Sequence, residues 1–185
     1  MTLFDLFAVA VIVIYVLLGY FTGMIRRVIG LVTVYLACVV ATYMGIQGGS
    51  IVQQQDATIT IPDSRIYAWV GFFLLIIVVV EGLAVFIHNE LQLSIIMLNK
   101  ATGVLVGAVT AVVVVLVTSY ILAGYGQPLG SGAPDDLQIK VRDAVANSKI
   151  GLPIAKLAAP ALIVFDAALP RDPKTYFGIS STKAP

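Results

Sequence analysis

Apolar residues gather in four long runs separated by short polar segments. They extend from about Leu3 to Thr22, from Val28 to Ile46, from Tyr67 to Ile87 and from Ala101 to Ala123. Each comes close to the roughly 20 residues a helix needs to cross a hydrocarbon core of about 30 Å. Helices are required, because lipid offers no partner to a free N–H or C=O. A transmembrane strand would alternate apolar and polar residues, and neither Phe72 to Val80 nor Val112 to Val117 does so.

The segments between and after these runs carry weaker signals. In the second loop, the alternation Thr58-Ile59-Thr60-Ile61 predicts a short strand or hairpin edge, and Pro62-Asp63-Ser64 a turn or helix start. Past the fourth run, Gly124 to Gly132, with Pro128, reads as a linker. Pro134-Asp135-Asp136 then opens a helix, with Leu137, Val141, Ala144, Val145 and Ser148 along one face. Gly151-Leu152-Pro153 is expected to break it. The stretch from Pro153 to Leu169 is apolar but holds Lys156, Pro160 and Asp166, which predicts an amphipathic helix on the membrane surface. Pro170 to Pro185 is expected to be extended or loose. The fold class is therefore all-α integral membrane: four transmembrane helices over residues 1–123 and an extracytoplasmic, amphipathic helical tail over 124–185.

Composition sharpens this picture. The 185 residues are 59% hydrophobic and 11% charged, with a mean hydropathy of +1.00. Soluble domains carry about 25% charged residues, so an ordinary soluble enzyme or a disordered regulator is excluded. The net charge of +1 gives no footprint for nucleic acid. Cys38 is the single cysteine, so the chain builds no internal disulfide and no cysteine metal cluster.

Lysine and arginine in short loops set orientation. The first loop carries Arg26 and Arg27 and the third carries Lys100, against Arg65 alone in the second and none at the N-terminus. The margin places both termini outside the cytoplasm. The tail, with seven basic and five acidic residues, points the other way, but long tails translocate largely regardless of charge. Asp5 before the first run and the arginines after it are the reverse of a cleaved signal, so the run is retained.

Two features inside the runs stand out. Small residues recur at four-residue spacing: Gly19 and Gly23; Ala37, Ala41 and Gly45; Gly103, Gly107 and Ala111. Such stripes let helices approach closely, either within one chain or between protomers. Glu81 lies inside the third run, where an acid costs about 2.5–3.5 kcal/mol on insertion scales. His88, seven residues on and on the same face, is its candidate partner; the alternatives are a protonated carboxyl or a hydrogen bond to a Thr or Tyr of a neighbouring helix. No catalytic, cofactor or metal site is expected, since His88 is the only histidine and no metal-ligand spacing exists. Gly124-Tyr125-Gly126 lacks the strand and helix that a dinucleotide site requires.

Together these residues form a pattern. Asp5 opens a helix ending in Gly23-Met24-Ile25-Arg26; Asn99-Lys100-Ala101-Thr102-Gly103 leads to Gly107 and Ala111; Asn147-Ser148 and Leu169-Pro170 follow. The chain resembles the CvpA family, the colicin V production proteins of bacterial inner membranes, over about residues 1–170. Family members often carry acids where Arg27 and Asn99 stand and a glycine where Ala111 stands. The resemblance implies a four-span inner-membrane protein linked to colicin V production or export and to envelope homeostasis. The expected function is a non-catalytic accessory or scaffold protein. Its partners would be the lipid bilayer and other membrane proteins, or a second copy met through the small-residue seams. Alternatives are a small transporter or proton-coupled channel using Glu81, and a permanent small subunit of a larger membrane complex.

Overall fold

The computed structural model describes residues 1–87, 96–127 and 134–177. Helix α1 (Leu3–Gln55) is followed by α2 (Ile61–Ile87), α3 (Ile96–Tyr125), α4 (Asp136–Ala146), α5 (Gly151–Ala158), a 3-10 turn (Ala159–Phe165) and α6 (Pro173–Phe177). A straight helix of 53 residues would be roughly 80 Å long, more than twice a bilayer core. It is not straight. Gly23 adopts φ 76° and ψ −179°, a region open essentially to glycine alone, and splits α1 into limbs 3–22 and 24–55.

Neighbouring contacts show that these limbs run in opposite directions. Gly30, Gly45 and Gly49 of the second limb face Glu81, Trp69 and Arg65, so this limb is antiparallel to α2. The Tyr125 hydroxyl at the end of α3 donates to Asp63 at the start of α2, so α2 and α3 are antiparallel. Gly19 abuts Gly103 and Gly107 abuts Tyr15, so the first limb is antiparallel to α3. The chain therefore doubles back at Gly23 and crosses the bundle four times. One end of the bundle holds Gly23, Arg26, Arg27 and Lys100; the other holds Asp5, the α1–α2 turn and the tail.

The core is built as membrane packing requires, from small side chains that bring backbones together. Ala37, Cys38, Ala41, Ala111 and Val117 are wholly buried beside Trp69, Ile121 and Tyr125. The outer faces of the helices remain apolar, with Phe21, Val32, Leu74, Val78 and Leu105 exposed. Such faces need an apolar surrounding, either lipid or another membrane protein.

Several local expectations are corrected. No strand forms at 58–61: Asp56 accepts from the Thr58 N–H at 2.9 Å, and Ile61 already begins α2. The second pass extends to Gln55 rather than Ile46, well past the apolar run. Gly151 does not break a helix but starts α5, the break lying at 147–150. Part of the segment expected to be loose is ordered: Phe177 is buried, Pro173 lies against Gly124, and the Tyr176 hydroxyl donates to the Thr42 carbonyl at 2.7 Å. Burial pushes the Tyr176 phenol up to about 12. His88, the 128–132 portion of the linker and residues 178–185 lie outside the described residues.

Candidate functional site

Among the described residues, the fully buried charged side chains, Arg27 and Asp5, mark two polar centres. The first is the Gly23 hairpin. Its turn brings Arg27, the fourth residue of the second limb, back against the first limb, with its guanidinium 5.9 Å from the centre of the Tyr15 ring. Arg27 is fully buried. Its Nη2 donates to Glu81 Oε2 at 3.0 Å, and its Nε donates to Thr22 Oγ1 at 3.1 Å. Arg26 adds a second cation, with Nε 3.9 Å from Glu81 Oε2 and Nη2 donating to the Glu81 carbonyl at 3.4 Å.

Glycines make this arrangement possible. A Cβ on Gly30 would stand 2.7 Å from Glu81 Oε1, and one on Gly23 would stand 2.6 Å from the Asn99 side chain. Asn99 Oδ1 accepts the Met24 N–H at 2.8 Å, satisfying a donor that the start of a helix otherwise leaves free. Lys100 is exposed at this end, its ammonium 5.2 Å from the Tyr20 ring. Arg26 Nε and Arg27 Nη1 have no hydrogen-bond partner among the described residues.

The sequence reading placed Arg26 and Arg27 in a loop and offered His88, or a Thr or Tyr, to Glu81. The structure gives Glu81 the two arginines, and His88 lies outside the described residues. The missed signal was compositional: one acid inside an apolar run, and an arginine pair at the end of another. A lone intramembrane acid calls for a cation, and the sharp turn at Gly23 supplies it from 54 positions away.

The second polar centre lies at the opposite end. Asp5 is completely buried. Its Oδ1 accepts from the Ser148 hydroxyl at 2.6 Å and the Ile150 N–H at 2.9 Å, and its Oδ2 accepts from the Thr2 N–H at 2.9 Å. Ser148 Oγ in turn accepts the N–H groups of Gly151 and Leu152 at 2.8 and 3.2 Å. Asp5 and Ser148 thus cap the first turn of α5 and fasten the tail to the start of the first pass. Gln138 reinforces this attachment, donating from Nε2 to the Tyr125 carbonyl at 3.1 Å.

The small-residue stripes meet one another. Gly19, Gly103 and Gly107 form one seam, where an added Cβ on any of the three would strike backbone atoms of the facing helix. Ala111, also wholly buried, continues it. Ala37 and Ala41 are fully buried, and Gly45 lies against Trp69 and the Tyr176 hydroxyl.

Neither the curated proteins nor the solved structures compared with this sequence gave a match. The family model described as colicin V production protein matches residues 4–156. That span takes in the Gly23 hairpin, the glycine seam, the Glu81 ion pair and the Asp5–Ser148 link. The chain therefore belongs to the colicin V production protein family, whose model covers the whole membrane bundle and the first part of the tail.

Proposed function

We propose that the chain is a non-catalytic accessory or scaffold protein of the bacterial inner membrane, serving colicin V production or export and envelope homeostasis. Its family membership supports the setting. The observation that carries the scaffold reading is the closure of the bundle: the passes meet backbone to backbone along Gly19, Gly103 and Gly107, and Glu81 is engaged by two arginines. A transport pathway normally needs several polar groups lining one cavity. In this bundle Glu81, Arg26 and Arg27 are spent on each other, and Lys100 lies exposed at the end of the bundle.

The proposed orientation draws its support from the positions of the basic residues. Arg26, Arg27 and Lys100 gather at the Gly23 end, which the positive-inside rule assigns to the cytoplasm. Both termini and the tail then face outward.

The buried Arg27–Glu81 pair also supports a second reading, a small proton-coupled transporter or channel, because intramembrane ionisable residues often mark ion pathways. Two measurements separate the readings. Purification in mild detergent should recover the protein with other membrane proteins or with itself, and wild-type liposomes should show no proton flux above that of empty ones. Wild-type flux abolished by Glu81→Gln would overturn the accessory role in favour of transport. Elution as a lone monomer would remove the scaffold.

A further inference from the structure

We infer that residues 151–165 lie in the membrane interface at the Asp5 end of the bundle, with Leu157, Ile163 and Val164 against lipid. This rests on the membrane-spanning fold alone and stands or falls apart from the accessory role.

The first limb of α1 supplies the ruler. Residues 3–22 rise roughly 30 Å, just the thickness of the hydrocarbon core. Leu3 and Gly23 therefore mark its two boundaries. Gly151 packs on the Phe4 ring, at the first of these boundaries. Further along, Phe165 is fully packed and its ring centre lies 5.5 Å from that of Tyr35. Tyr35 stands twelve residues past Gly23, roughly 18 Å up the second limb and so well inside the core. The Ala168 carbonyl then accepts from Thr42 Oγ1 at 2.9 Å, at a height of roughly 28 Å, back at the boundary. The segment runs along the edge of the core, with Phe165 as its deepest anchor.

Surface chemistry at that height identifies what covers it. Leu157, Ile163 and Val164 are 86%, 80% and 69% exposed. On the two limbs of α1, Leu6 and Leu36 are exposed at similar heights, on faces of the membrane-spanning helices suited to lipid. The tail continues that surface. Lys156 and Asp166 flank the apolar positions and are exposed, as expected of an interfacial helix whose long cationic side chain reaches for water. A cavity of about 330 Å³ lined by Tyr120, Leu162, Ile163 and Leu169, with Asp166 on its wall, opens at the same level. Above it α1 continues for thirteen residues past Thr42, ending in Gln53-Gln54-Gln55. That polar finish belongs in water.

Spin labels on Leu157→Cys, Ile163→Cys and a water-side reference, Asp143→Cys, test the placement in liposomes. Cys38 is wholly buried and stays unlabelled in the folded protein. The ratio of oxygen to nickel-chelate collision should be severalfold higher at 157 and 163 than at 143, with thermal unfolding of each variant matching the parent. A ratio equal to that at 143 would place the segment in water. Exclusion of both reagents at 157 and 163 would mean a protein surface covers it. Either result overturns the inference.

Discussion

At the Gly23 end, the Glu81 carboxylate meets two guanidinium groups; at the Asp5 end, a carboxylate meets, among the described residues, hydroxyl and backbone N–H donors. Depth accounts for the difference. Glu81 stands opposite Gly30, seven residues and roughly 10 Å from the hairpin, inside the hydrocarbon. There an unpaired charge costs several kcal/mol, and a second charge is the most effective compensation. Asp5 stands at the opposite boundary, where hydrogen bonds from a capped helix start suffice. The ion pair therefore holds two passes to each other deep in lipid, whereas the Asp5 link holds a peripheral tail to the bundle.

Substitutions can break this contrast, and the largest effect belongs to the ion pair. Glu81→Leu leaves both arginines without their counter-charge and should cost about 3–5 kcal/mol, as breaking buried pairs does. Arg27→Met should cost less, because Arg26 remains 3.9 Å from the carboxylate. Thermal unfolding in detergent that ranks the two in the opposite order would show that Arg26 contributes nothing. The double variant Glu81→Leu/Arg27→Met should recover much of the loss.

Gly107→Leu tests whether the Gly23 end also depends on backbone contact. Its side chain would strike Tyr15 backbone, and overpacking costs about 1–3 kcal/mol even where neighbours can move. The melting temperature should fall, and a retained wild-type value would refute the seam.

Ser148→Ala acts on the opposite end and should cost about 1–2 kcal/mol, for the lost hydrogen bonds to Asp5, Gly151 and Leu152. The contrast with Glu81 lies in where the loss appears. Hydrogen exchange should speed up across 136–165 while residues 24–55 and α3 keep their protection. Uniform acceleration over the whole chain would mean that the tail is no separate unit of stability. Asp5→Ala should reproduce the same local pattern more strongly.

Tyr125→Phe is the mildest change, removing one hydroxyl bond to Asp63 at about 1 kcal/mol. It should leave the four passes and the tail in place.

Much of this was legible in the chain. Four runs of about 20 apolar residues dictate four helical passes, because every backbone group in lipid must be satisfied within its own helix. The small-residue stripes announced close contact, and Asp5, Gly23, Asn99 and Ser148 all lay in segments that resemble the colicin V production family. Helix ends were less readable. The second pass outlasts its apolar run because its last turns pack on α2 at Gly48 and Gly49, not because they sit in lipid.

Partnership was what folding alone decided. Glu81 and Arg27 are 54 positions apart, and Asp5 and Ser148 are 143 apart; no local period links them. Their meeting depends on a glycine conformation at residue 23 that reverses the chain, and on the stacking of α5 over the first turn of α1. A hydropathy pattern reports how each segment meets its solvent. Which charge answers which follows only when the passes have been brought side by side.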